Sequence, residues 1–349
     1  MAGKRPRDYG IAPGIYTTGK LNAISDVPGV RVGQVTLLEG SDVRTGITAV
    51  LPHAGNVYQD RVPAGLAVEN GFGKLTGVSQ LQELGELETP VILTNTLSVH
   101  EAAGALISWT LEQKGNEAVR SVNPVAGETN DGYLNDISRR AVTAAHVRQA
   151  LQKARKGPVE EGAVGAGTGT VCFGWKGGIG TSSRRLPGDM GGYYLGVLVQ
   201  TNFGGQLQIM GRPMTDLVQE TLPSAGDGSI MILVATDAPL SDRNLQRLAR
   251  RAFAGLARSG SSLACGSGDY AIAFSTATAV RRTAVQRRTI RRTVELGNDN
   301  LSPLFQAVIE ATEEAIYNSL WAATTMTGFH NRIVYALPHE EVLARFKNP

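Results

Sequence analysis

Cysteine is almost absent from this chain: Cys172 and Cys265 are the only two in 349 residues. They lie far apart and form no C-x-x-C, so neither a disulfide framework nor a cysteine-built zinc site is expected. Histidine is nearly as scarce. His53, His100, His146, His330 and His339 make no H-E-x-x-H, so no metal and no cofactor is expected. No G-x-x-x-x-G-K-[ST] occurs, which leaves no P-loop. No apolar stretch is long enough for a membrane span, and the basic start MAGKRPRDYG is not followed by an apolar core. Neither a secretory signal nor a membrane partner is therefore expected, and the expected compartment is the cytoplasm. A formal net charge of +3 is too small to argue for nucleic acid or an anionic surface.

Glycine, by contrast, is plentiful at 42 residues, which implies many turns and close backbone approaches. Its densest stretch is 162–192, GAVGAGTGTVCFGWKGGIGTSSRRLPGDMGG. The G-x-G spacings there invite a dinucleotide site, but no helical period follows them. A loop and strand packed closely on another backbone is the simpler reading.

Along the chain, NAISDVPGVRVG and TGITAVLP read as turns and short strands. A helix is expected over 98–114, with Ser98 as cap and Glu101 completing a capping box. A second is expected over about 134–156, stopped by Gly157-Pro158. Residues 193–202 (YYLGVLVQTN) read as a strand. Ser241 is placed to cap a helix whose apolar face is Leu245, Leu248, Ala249, Ala252, Phe253 and Leu256. Residues 264–275 read as a turn and strand, and Ser302-Pro303 opens a long helix. There is no repeat and no low-complexity linker. Strands and helices mix without strict alternation, which suggests layered sheets and helices in one integrated domain, 1–349. Six arginines between Val280 and Val294 could bind nucleic acid, but no aromatic residue interleaves them. A solvated or subunit-facing ribbon is the preferred expectation.

The stretch with the most chemistry is Gly226 to Asp237, GDGSIMILVATD. A glycine turn delivers Ser229 to the mouth of an unbroken apolar run, the pattern of a strand buried on both faces. Ser229 is either a turn serine bonding nearby backbone or a nucleophile that becomes an N-terminus when Gly228-Ser229 is cut. No histidine is near it in sequence. A free α-amine titrating near pH 8 can take the hydroxyl proton instead. Gly228 makes the strained turn for that attack easiest.

NAISDVPGVRVG, GETNDGYLND, VGAGTGTVCFGWKGGIGTSSR, VQTNFG, DGSIMILVATDAPLSDRNLQRLARR and GSGDYAIAFST, in this order, resemble the L-aminopeptidase D-amidase/esterase family, which includes the β-peptidyl aminopeptidases. The resemblance covers about 14–329. It implies an α+β fold, a four-layer αββα sandwich like that of N-terminal-nucleophile hydrolases but connected differently. It also implies self-cleavage into 1–228 and 229–349, tetramers of the cleaved pair, and metal-free removal of N-terminal residues from peptides, amides or esters. Ser229 matches the nucleophile and Asn202 the oxyanion-hole amide. Ser267 and Asp269 match the pair that orients the serine and its amine, and Tyr133 matches an active-site tyrosine. Asp269 departs from the family pattern, which has glutamate there, one methylene longer.

An aminopeptidase must also hold a substrate ammonium, best done by a carboxylate. Glu128 and Asp131 flank the turn before Tyr133. Glu128 is preferred because it precedes a turn, whereas Asp131 could cap a helix. The expected partner is a small peptide or amide with a free N-terminal amine. Two other functions compete: an acyltransferase related to ornithine acetyltransferase, although those enzymes use threonine as nucleophile, and a non-catalytic scaffold using the arginine ribbon.

Overall fold

The computed structural model, which describes residues 4–217 and 228–347, stacks two sheets between two pairs of helices. In chain order the principal elements are β1 (Arg31–Glu39), β2 (Val43–Leu51), β3 (Asp60–Gly71), β4 (Val91–Asn95), α1 (Val99–Leu111), β5 (Val125–Thr129), α2 (Ala144–Lys153), β6 (Ile179–Arg185), β7 (Tyr194–Asn202), β8 (Ser229–Thr236), α3 (Asp242–Arg258), β9 (Gly268–Ser275) and α4 (Ser302–Ala322). One sheet has the order β1-β2-β4-β5. The other runs β3-β9-β8-β7-β6, extended by short strands Glu86–Leu87 and Arg282–Thr283 on β3.

The two faces of β8 explain the layering. Ile230, Ile232 and Val234 pack toward α3 and α4 with Leu245, Leu248, Leu304 and Val308. Met231, Leu233 and Ala235 pack the other way, against Val50, Leu93 and Val125 of the first sheet. Successive strand residues point to opposite faces, so a continuous apolar run serves two cores at once. A third core, with Ile47, Ile92, Leu106 and Val147, lies under α1 and α2. The layers are thus α, β, β, α, the expected sandwich. A fully buried Arg184 on β6 ties that strand to α4, with Nε 3.1 Å from Glu310 Oε2 and Nη2 2.7 Å from Glu314 Oε2.

Several local expectations shift. The helix expected over 98–114 begins at Val99 and ends at Leu111. Ser98 sits at φ −105° and ψ 0°, not extended as an N-cap must be, and its buried hydroxyl makes no bond. Glu101 instead accepts the Ala144 N–H at 3.1 Å. The helix expected from 134 starts only at Ala144, because Arg140 turns the chain left-handed (φ 48°) and Thr143 provides the extended cap. Ser241 is extended at the start of α3 as expected, but its side chain makes no capping bond. The glycine-rich stretch is close-packed rather than a nucleotide loop: a Cβ on Gly180 would lie 1.9 Å from the Ala315 carbonyl, and one on Gly178 2.2 Å from that of Gly162. The arginine ribbon is only half solvated. Arg281 pairs with Asp60, and Arg282 with Glu86 and Asp242. Arg288, Arg291 and Arg292 are exposed. Among the described residues no helix is long and apolar enough to cross a membrane, and no group of three or more His, Cys, Asp or Glu could hold a metal ion.

Candidate active site

Strand register assembles the site. Ser229 opens β8 and faces Asn202, the last residue of antiparallel β7, while Gly268 opens parallel β9 on its other side. Residues paired across a rung share a sheet face, so Asn202 and Ser229 both look into the gap between the sheets. From the other sheet, the end of β5 brings Glu128 to the same gap. These meet in a cleft of about 800 Å³, lined by Glu128, Tyr133, Asn202, Gly228 and Ser229 together with Phe72, Lys74, Thr96, Cys265 and Arg332. No histidine lines it among the described residues.

Ser229 Oγ accepts the Gly268 N–H at 3.1 Å, which leaves its own proton free to be given away. Gly228 is pressed against β7: a Cβ there would lie 2.3 Å from the Asn202 carbonyl oxygen and 2.5 Å from Phe203 Cα. The Gly226-Asp227 part of the turn lies outside the described residues. Asn202 Oδ1 accepts the Val171 N–H at 2.9 Å. With its oxygen held, the amide keeps its NH₂ end as the donor.

Ser267 and Asp269 do not line the cleft; they flank Gly268 just behind it. Ser267 Oγ donates to Asp269 Oδ1 at 2.6 Å. Asp269 is fully buried and its Oδ2 has no partner. Burial raises this carboxyl to about 6, opposed by the Ser267 hydroxyl and reinforced by Glu69. A buried acceptor left open in this way is suited to a cation.

Glu128 is held by two donors, the Lys74 N–H to Oε1 at 2.9 Å and the Thr96 hydroxyl to Oε2. Burial still raises its pKa above the usual range. Asp131 is different. It is 1% exposed, accepts from Asn135 Nδ2 at 3.0 Å, and does not reach the cleft. Burial pushes it up to about 7, while the charge of buried Lys176 favours its ionised form. It caps no regular helix either. Lys176 Nζ donates to the carbonyls of Gly167, Thr170 and Gly177 at 3.1, 2.8 and 2.8 Å. Buried and absent from the cleft lining, Asp131 is not placed to meet the substrate, contrary to expectation.

Lys74, Thr96 and Arg332 were not anticipated from the sequence. Thr96 had a usable signal: it ends the polar run Thr94-Asn95-Thr96 after the apolar Val91-Ile92-Leu93, as Asn202 ends β7. Arg332 had none; it comes from a hairpin far along the chain.

Residues 22–334 match peptidase family S58. The β-peptidyl aminopeptidase BapA of Sphingosinicella microcystinivorans is 41% identical, over 99% of this chain and 92% of the relative. The crystal structure of the PH0078 protein of Pyrococcus horikoshii OT3 superposes with a TM-score of 0.92 at 45% identity, covering 99% of this chain and all (100%) of that one. The L-aminopeptidase D-Ala-esterase/amidase of Ochrobactrum anthropi superposes with a TM-score of 0.91 at 37% identity, covering 99% of both. That enzyme is described as a prototype for the serine aminopeptidases and a new variant among the Ntn hydrolase fold.

Proposed function

The chain belongs to peptidase family S58 and is an aminopeptidase, and we propose that it works through Ser229 after cutting itself at Gly228-Ser229. The observation that carries this is the single cleft holding Ser229, Gly228, Asn202 and Glu128 with no histidine to serve as base.

In self-cleavage, Ser229 Oγ attacks the Gly228 carbonyl carbon. The peptide C–N bond breaks, the proton goes to nitrogen, and Gly228 is left as an ester on Oγ. Breaking the C–N bond has already freed the Ser229 amine; water then hydrolyses the ester, which frees the Ser229 hydroxyl and leaves Gly228 as a carboxylate. In turnover this amine takes the Oγ proton while Oγ attacks the substrate carbonyl. Asn202 Nδ2 donates to the oxyanion, and the protonated amine gives its proton to the leaving amine. Water then releases the acyl group by the same steps. Ser267 and Asp269 orient the serine amine; the open Oδ2 of Asp269 supports this. Glu128 holds the substrate ammonium, whose charge offsets the cost of keeping a carboxylate out of water. Tyr133 closes the cleft beside it.

The acyltransferase reading finds no support in relatives that are aminopeptidases. The name of the Sphingosinicella relative extends the proposal to β-amino-acid N-termini. We also place the enzyme in the cytoplasm as a homotetramer of cleaved pairs. The exposed apolar residues Val285, Ile290 and Val294 of the arginine ribbon support a subunit contact. Native mass measurement checks the assembly. The function is tested with p-nitroanilides of L-α, D-α and β-amino acids, with fragment masses measured on the same sample. An uncut chain that is fully active would end the mechanism.

A further inference from the structure

Glu128 supplies negative charge to the cleft, but two cations line it as well, Lys74 and Arg332. Neither forms an ion pair with Glu128 or with any other acid among the described residues. The charge of Lys74 acts on Glu128, whereas Arg332 adds a positive charge with no such tie; opposite charges left unpaired in one cavity are complementary to a zwitterion, and a short peptide is one.

Arg332 is held in place by an unusual turn. His330 and Asn331 both adopt left-handed backbone (φ 58° and 56°), and the Arg332 N–H returns to the Phe329 carbonyl at 3.2 Å. Two consecutive left-handed residues make a type I′ turn, normally filled by Asn-Gly. The strain is sustained by fixed neighbours: Phe329 N–H bonds the Leu134 carbonyl at 2.7 Å, and Met326–Thr327 pairs with Ile333–Val334. The guanidinium lies 4.9 Å from the Tyr133 ring centre and 6.0 Å from that of Phe329, and Nη1 donates to the Tyr133 carbonyl at 3.2 Å. One carbonyl and two rings leave most of its five donors for a ligand, in a fork that matches a carboxylate.

We propose that Arg332 recognises the C-terminal carboxylate of the substrate, so that the enzyme selects short peptides with a free carboxylate over their amides. This rests on the aminopeptidase site described above. Lys74, whose Nζ lies 5.6 Å from the centre of the Phe72 ring, adds a second positive charge to the cleft lining. A cleft of about 800 Å³ has room for a short peptide, and a dipeptide or tripeptide is the expected class.

The test compares kcat/KM for one dipeptide acid and its C-terminal amide, using the best N-terminal residue from the p-nitroanilide panel. Wild type should prefer the acid by about tenfold or more, the lower end for a charge-assisted hydrogen bond. Arg332→Met should bring the acid-to-amide ratio near one, and Arg332→Lys should retain part of the preference. Equal wild-type rates on acid and amide would overturn the proposal while leaving the aminopeptidase standing. So would an Arg332→Met enzyme that loses both substrates in proportion, which would make Arg332 a support for Tyr133. If wild type cleaves neither peptide nor any p-nitroanilide, the aminopeptidase reading falls first and this proposal with it.

Discussion

Replacing Asp269 by asparagine should make the uncut protein more stable at neutral pH, and the gain should vanish in acid. The experiment uses Ser229→Ala as background, so that one covalent species is present. Asp269 is fully buried with one oxygen unpartnered, and burial raises it from 3.8 to about 6. A carboxyl whose folded pKa exceeds its unfolded value binds its proton more tightly in the native state. Stability therefore falls as pH rises from about 4 to about 6 and stays low above that. The span corresponds to about 3 kcal/mol at 1.36 kcal/mol for each factor of ten. Asparagine keeps the acceptor for the Ser267 hydroxyl but does not titrate. Its own packing cost is a constant, and the other buried carboxyls titrate in both proteins, so only the pH-dependent difference matters. In a chain of 349 residues, about 3 kcal/mol corresponds to roughly 4 °C in Tm. Melting the Ser229→Ala protein with and without Asp269→Asn at pH 4 and pH 7.5 should show the difference between them widen by that amount. Equal differences at the two pH values would mean that Asp269 is not held out of water, and the case for it as a waiting amine partner would go. In the Ser229 enzyme the same substitution should abolish activity, because the stabilising change removes the charge the amine needs.

Three further outcomes follow from the site. Intact mass should find wild type as fragments 1–228 and 229–349, and Ser229→Ala should stay whole because no hydroxyl remains to begin the acyl shift. Asn202→Ala should lower kcat by about 100- to 1,000-fold with little change in KM, as expected for a donor that acts on the oxyanion in the transition state; a change confined to KM would move Asn202 into substrate binding. Glu128→Gln, and separately N-acetylation of the substrate, should each cost about 10- to 150-fold in kcat/KM, while self-cleavage of Glu128→Gln proceeds; equal turnover of free and acetylated substrate would refute the role of the ammonium.

The parts of this fold visible in the sequence are those set by local pattern. The all-apolar run after Ser229, the amphipathic face of α3 from Leu245 to Leu256, and the Ser302-Pro303 helix start are each decided within a few residues, and each stands as expected. The misses came where tertiary contacts override local signals. Ser98 has the right residue type and spacing for a cap, yet the preceding 3₁₀ turn Thr96–Ser98 sets its backbone wrongly. Residues 134–142 have helix-compatible composition. There Leu134 is committed elsewhere: its carbonyl accepts the Phe329 N–H and its N–H bonds the Asp131 carbonyl. The site divides the same way. Ser229, Gly228 and Asn202 sit at strand ends that the sequence marks, whereas Asp131 and Glu128, three residues apart, differ only in whether burial leaves them facing the cleft. Spacing carries no information about that. Arg332 depends on a hairpin docking against Leu134, a contact between segments about two hundred residues apart.

One geometric requirement would link the two reactions proposed for this enzyme. In the proposed mechanism Gly228 and the substrate each present a carbonyl carbon to the same Oγ, one from within the chain and one from solution. The chain-borne carbonyl belongs to a residue already wedged against Asn202 and Phe203, where a Cβ has no room. Any side chain at 228 would push the backbone away from β7, and with it the bond to be cut. On the proposed mechanism the substrate carbonyl carries no such limit, since it comes from solution rather than from a backbone wedged against β7. Self-cleavage should accordingly be far more sensitive to residue 228 than turnover is to the N-terminal side chain of the substrate. Gly228→Ala would separate the two: cleavage should slow markedly, while the fraction that does cleave turns over substrate at the wild-type rate, because residue 228 has by then left the bond. A Gly228→Ala chain that cleaves as fast as wild type would show that the approach of Oγ does not depend on the wedge against β7.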